Sequence, residues 1–183
     1  EIMPSHLAVV LTNELGDKAI PHLMKLIGCE DRDVGRIAGD ACVALGQRVV
    51  PHLQKYLKGD NIESRNDAAA ALLRMAANGV GSMPKEVIIG LRDIIRQVDL
   101  GRFDVITIAA AALGEIGANA VPVLKELLLD DSYLVRLGAV TGFLRSGGEN
   151  ALSTLQEARK RETNFTVAEA IDHAIEIIVE DMK

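Results

Sequence analysis

Apolar residues in this chain recur at helical spacing, as at Ile20, Leu23 and Ile27, and the pattern is interrupted at regular intervals by Gly, Pro and Asp. The interruptions divide it into two alternating kinds of helix. One, A, is expected over Asp33–Leu45, Glu63–Ala77, Asp104–Glu115 and Tyr133–Leu144. The other, B, is expected over Val49–Leu57, Lys85–Arg96, Val121–Leu129 and Leu152–Arg161. Pro4–Leu15 supplies the first A helix, and Phe165–Met182 an unpaired last helix. Gly16, Gly46, Gly117 and Gly148 stand where A helices should stop, because glycine accepts the left-handed backbone of a helix end. Pro21, Pro51, Pro84 and Pro122 follow, suited to a first helical turn, where the missing N–H has no partner to lose. Ser153 takes that place in the fifth unit.

The interruptions repeat about every thirty residues. Leu15-Gly16-Asp17-Lys18-Ala19-Ile20-Pro21-His22-Leu23 aligns with Leu45-Gly46-Gln47-Arg48-Val49-Val50-Pro51-His52-Leu53. Such a period predicts stacked helical hairpins, each buried mainly by its neighbours. The expected fold is all-α, a right-handed α-α superhelix of about five hairpins plus a C-terminal capping helix. Its units run roughly over 4–30, 31–59, 60–99, 100–130 and 131–162, with a final helix at 165–182, in one repeat domain over 1–183. Asn78–Ser82 and Val98–Phe103 lengthen two turns around the third unit.

Composition sharpens this picture. Hydrophobic residues make up 49% of the chain but aromatics only 3%, with no Trp. The core must therefore be Ala, Leu, Ile and Val, and the runs Ala68–Ala71 and Ala109–Ala112 allow close helix approach. The formal net charge of −6 argues against nucleic acid and anionic membranes as partners. No apolar run is long enough to span a bilayer, and no signal peptide is visible. Cys29 and Cys42 have neither metal-knuckle nor redox spacing, which suits a reducing, cytoplasmic setting. The chain opens at Glu1 and not at Met, as expected of part of a longer protein.

The A helix ending in Leu-Gly or Ile-Gly, followed by Ala-Val-Pro, resembles the HEAT repeats. Ala111-Ala112-Leu113-Gly114-Glu115-Ile116-Gly117-Ala118-Asn119-Ala120-Val121-Pro122 is the nearest match, and the short period resembles the PBS-lyase-type HEAT-like branch. The resemblance implies an Asp/Arg ladder along the stack: Asp31 with Arg36, Asp60 with Arg65, and Asp131 with Arg136. Where no arginine is in register the ladder should break. It also implies that B helices line the concave, partner-facing surface.

On that surface the sequence places one candidate site. Lys18, His22 and Lys25 share a helix face, and Arg48, His52 and Lys55 repeat the pattern one unit later, with Lys58 beyond them. In later units Lys25 and Lys55 give way to Ile88, Glu126 and Glu157, and Lys18 and Arg48 to Gly81, Asn119 and Asn150. The strip suits an acidic or phosphorylated protein partner steered by charge, with the histidines adding hydrogen bonds and pH sensitivity. His22 and His52 lack a third ligand and have lysines beside them, so no metal is expected. No His is followed by Glu, which excludes the iron site of deoxyhypusine hydroxylase, a HEAT-like enzyme. Phosphate loops, nucleophile elbows and zinc-protease motifs are absent as well, so no catalytic residue and no cofactor is expected.

The expected function is thus a non-enzymatic protein–protein interaction scaffold. The first alternative, from the branch resemblance, is a bilin-lyase-like subunit or chaperone acting on a phycobiliprotein. The second is a solenoid gripping DNA phosphates, with Arg92, Arg96 and Arg102 adding to the strip. The end helices, polar at Glu169, Asp172, Glu176 and Glu180 but largely apolar in Pro4–Leu15, leave room for self-association.

Overall fold

The computed structural model describes residues 4–29, 31–97 and 102–183. Of the lengthened turn Val98–Phe103, residues 98–101 lie outside the described residues. The chain divides into two compact units, Glu1–Gly90 and Leu91–Lys183, and the boundary falls within a helix.

The first unit begins with α1 (Pro4–Leu15), a 3₁₀ turn (Gly16–Ala19) and α2 (Ile20–Leu26). The same sequence of elements recurs as α3 (Arg32–Leu45), a 3₁₀ turn (Gly46–Val49) and α4 (Val50–Leu57). Then come α5 (Ile62–Ala77) and the start of α6 (Lys85–Gln97). The A helices stack in order, α1 on α3 and α3 on α5, while α2 packs on α3 and α4 on α5. Ala38, Ala41, Ala68, Ala69 and Ala71 are fully buried in this stack, with Leu53, Leu72 and Met75 filling the space between helices. Cys42 is buried there too, and burial pushes its thiol up to about 12 against a smaller opposing pull from Arg74. It is a core residue and not a nucleophile. The Asp31 side chain caps α3 by accepting from the N–H groups of Asp33 (2.9 Å) and Val34 (3.2 Å), and Asn61 caps α5 through Ser64 N–H (2.9 Å). Gly28, at φ +80°, has no space for a side chain beside Ser64, and its N–H donates to Asp67 at 2.7 Å.

The second unit continues α6 and adds α7 (Phe103–Ile116), a 3₁₀ turn (Gly117–Asn119), α8 (Val121–Leu127), α9 (Tyr133–Ser146), α10 (Gly148–Arg161) and α11 (Phe165–Asp181). Here α7 stacks on α9 and α9 on α11, with α8 against α9 and α10 against α11. Small residues set the α7–α9 spacing. A methyl on Gly114 would run into the Gly142 carbonyl, and one on Gly138 would lie 2.6 Å from Ile106 Cγ2.

Two boundaries differ from the sequence reading. Gly147, at φ +60°, ends α9, and Gly148 already opens α10. Without a proline at Ser153, the helix extends back to Gly148 and no 3₁₀ turn intervenes. Pro84 stands just before α6, whereas Pro21, Pro51 and Pro122 are each the second residue of their helices. The register of α6 is therefore different, and Ile88, expected on the outer strip, is buried.

Candidate partner-binding surfaces

The turn residues bring neighbouring B helices of the first unit together. The Arg48 side chain donates to the Leu45 carbonyl at 3.1 Å and to Asp17 of the preceding turn at 2.9 Å. The Tyr56 hydroxyl, on α4, donates to the Met24 carbonyl on α2 at 2.7 Å. In the next turn Gln47 donates to the Val80 carbonyl at 2.6 Å, so the lengthened Asn78–Ser82 loop is held against Gly46–Val49. These ties set α2 beside α4 with Leu23 and Leu53 buried.

Of the residues expected on one helix face, His22 and Lys25 lie on α2 and His52 and Lys55 on α4, while Lys18 and Arg48 stand in the 3₁₀ turns before these helices. Lys18, His22, Lys25, Arg48 and Lys55 are exposed, and His52 is half-buried. Among the described residues Lys18, Lys25, Lys55 and Lys58 have no ion-pair partner. Arg48 differs from them, since its charge is matched by Asp17. The ridge is thus a row of lysines and histidines punctuated by one neutralised arginine.

The proposed ladder residues also have defined places. Arg65 donates from Nε to the Gly59 carbonyl, and Arg136 donates from Nη1 to the carbonyls of Asp130 and Asp131, each at 2.9 Å. Both arginines thus reach back six residues to the inter-repeat turn. Arg36 lies 3.5 Å from Asp40 and 3.8 Å from Asp33, while Asp31 caps its helix. Asp60 precedes the cap residue Asn61, and Asp131 precedes Ser132, the residue just before α9.

Arginine–carboxylate pairs about one repeat apart recur in both units: Arg74 with Asp40, Arg96 with Asp130, Arg136 with Glu162, and Arg145 with Glu115. Exposed pairs of this kind are worth about 0–1 kcal/mol each. Arg136–Glu162 is the most enclosed, with Glu162 accepting from Nε at 2.8 Å and Nη2 at 2.9 Å. Its hydrogen bond from Arg136 holds the Glu162 carboxyl below the usual carboxylate range, helped by the Asn164 N–H and opposed by burial. The same bond raises Arg136 above its ordinary value.

A second surface, which the sequence reading did not single out, lies in the Leu91–Lys183 unit. A cleft of about 760 Å³ opens between α8 and α10, with residues of the two inter-repeat turns, Asp130, Asp131, Glu162 and Thr163, in its lining. Lys125, Leu128, Leu129, Glu157 and Arg161 line it, and the Arg136–Glu162 pair forms part of its wall. Leu129 could have pointed to it, because it breaks the buried spacing of Leu124, Leu127 and Leu128 and stands 68% exposed. The arginines considered for DNA contact are engaged elsewhere. Arg92 pairs with Asp93 at 2.8 Å, Arg96 with Glu126 at 2.8 Å, and Arg102 with Asp104 at 3.3 Å. No described helix is long and apolar enough to cross a membrane.

Comparison with known proteins agrees with this architecture. The PBS lyase HEAT-like repeat matches residues 107–130, the α7–α8 hairpin. No curated protein matches the chain. Among solved structures, the complex of CpcE and CpcF of phycocyanin lyase from Nostoc sp. PCC7120 superposes with a TM-score of 0.62 at 21% identity, covering 86% of this chain and 98% of that one. A designed armadillo repeat protein in complex with the peptide (KR)4 gives a TM-score of 0.51 at 19% identity, over 93% of this chain and 85% of that one. A second designed armadillo repeat protein gives 0.51 at 18% identity, over 96% and 90%. The fold is that of the HEAT and armadillo helical-repeat solenoids.

Proposed function

We propose that this chain of HEAT-like repeats is a protein-binding scaffold whose α2/α4 ridge receives the partner. One observation carries the reading. Lys25 and Lys55 stand exposed at equivalent positions of adjacent helices, with Lys18 and Lys58 nearby, and none of the four has an ion-pair partner among the described residues. Several arginines elsewhere are matched by carboxylates one repeat away, as at Arg74–Asp40 and Arg96–Asp130. A row of unmatched, hydrated cations on a fixed ridge favours an acidic or phosphorylated protein surface, and it steers the encounter. Such attraction weakens as salt rises.

The test is affinity capture with mass spectrometry, comparing the wild type with Lys25→Glu/Lys55→Glu and with a remote control, Lys183→Glu. The double reversal should lose partners that the control retains, with helix content unchanged by circular dichroism. Equal capture by all three proteins removes the ridge reading.

The likeness to the CpcE–CpcF complex favours a second reading, a bilin-lyase-like subunit or chaperone acting on a phycobiliprotein. That reading requires bilin attachment to an apo-phycobiliprotein subunit to depend on this chain. Attachment that proceeds equally without the chain would dismiss it.

A further inference from the structure

We infer that the exposed face of α11 in one copy of this chain docks on the α2/α4 ridge of a second copy. The inference rests on the reading of that ridge as the partner-binding face and gives it one definite occupant. The two surfaces are opposite in charge, and each keeps charges that its own chain does not match. Neither α2 nor α4 contains an Asp or Glu, and Asp17, in the turn before α2, is already taken by Arg48 at 2.9 Å. Lys18, Lys25, Lys55 and Lys58 are left exposed, with no ion-pair partner among the described residues. The helix α11 is the reverse, with five carboxylates and no Lys or Arg. Asp172 is matched by Arg159 of α10 at 2.8 Å. Glu169, Glu176 and Glu180 are exposed and have no ion-pair partner among the described residues.

The spacing of the two sets agrees as well. Glu169 and Glu176 are two helical turns apart, so they share a face at a separation of about 10 Å along the axis. Lys25 and Lys55 hold equivalent positions on α2 and α4, which the Tyr56–Met24 hydrogen bond keeps side by side, and packed helices lie about 8–10 Å apart. Laid across the two helices, α11 therefore offers one carboxylate to each lysine. A shallow groove of about 320 Å³ on α11 adds a seat for a lysine side chain. Ile177 and Val179 line it beside Glu176 and Glu180, so a lysine stem can lie on apolar surface while its ammonium reaches the carboxylates. Lys183, also in the lining, pairs with neither of them. At about 0.1 M salt the Debye length is about 10 Å, so distant repulsion from the net charge of −6 is screened while charges in contact still attract. The two faces differ, so the contact is heterologous, and copies add head to tail unless the arrangement closes.

Sedimentation velocity across a range of protein concentrations, at about 0.1 M salt, tests this on four samples: wild type, Lys25→Glu/Lys55→Glu, Glu169→Lys/Glu176→Lys, and the two variants mixed in equal amounts. The wild type should associate beyond one chain as concentration rises. Each variant alone should need about tenfold or more protein to do so, because like charges then face each other. The mixture should recover association, since each variant complements the other, and that recovery also shows that both are folded. A wild type that stays a single chain, variants that associate as the wild type does, or a mixture that fails to recover overturns the contact. Affinity capture with the same proteins separates this result from the ridge reading. If the wild type stays a single chain but Lys25→Glu/Lys55→Glu still loses captured partners, the contact between copies falls and the ridge stands. If the four samples behave as stated but wild type and ridge variant capture the same other proteins, the contact stands and the ridge loses its role toward other partners.

Discussion

At the scale of single residues, the Glu162 carboxyl is where charge and burial act most closely together. In the folded chain its pKa is held below the ordinary carboxylate value by the Arg136 hydrogen bonds. A depressed carboxylate stabilises the fold above the unfolded-state pKa, about 4.3 for Glu. That contribution is lost as pH falls through the folded value. Glu162→Gln should therefore lower the urea midpoint at neutral pH and flatten its fall in acid. Parallel pH profiles for variant and wild type would remove this role. The residue types of the ridge were visible in the sequence, but their pairing was not. Arg48 and Lys18 occupy equivalent places after Gly46 and Gly16, yet only the arginine finds Asp17. Which cation is matched depends on where a neighbouring repeat directs its side chain, and spacing along one helix does not contain that information.

At the scale of helices, punctuation was the legible part. Gly16, Gly46 and Gly117 all adopt positive φ and open 3₁₀ turns, and the proline that follows enters the first turn of the next helix. The misreadings have the same local cause. Two adjacent glycines, Gly147 and Gly148, both at positive φ, left the end of α9 ambiguous by one residue. The missing proline then allowed α10 to begin early. At Pro84 the residue was the same but its helical position was not, and the strip lost its expected continuation at Ile88. Close approach of α7 and α9 gives a prediction at this scale. Gly114 faces the Gly142 backbone and Arg145 Cβ, so a methyl there has no flexible neighbour to push aside. Gly114→Ala gains about 1 kcal/mol of helix propensity but overpacks the seam by about 1–3 kcal/mol, a net loss of up to about 2 kcal/mol. Thermal denaturation should show a lower midpoint; a raised one would mean that the helices can separate freely.

At the scale of the whole molecule, the period of about thirty residues carried the fold. It required each hairpin to bury its apolar face against the next, and the stacking of α1, α3 and α5, and of α7, α9 and α11, has that form. The α8/α10 cleft was not legible, because it needs two turns, two helices and the partner of every charge to be known together. What the account claims of the molecule is that partner recognition belongs to an exposed B-helix face. Amine reactivity tests it most directly. With the captured partner bound, labelling of Lys18, Lys25 and Lys55 by an acylating reagent should fall, while Lys85 and Lys160 keep their free-state rates. Undiminished labelling of the three ridge lysines in the bound state, with protection found elsewhere, would contradict the account.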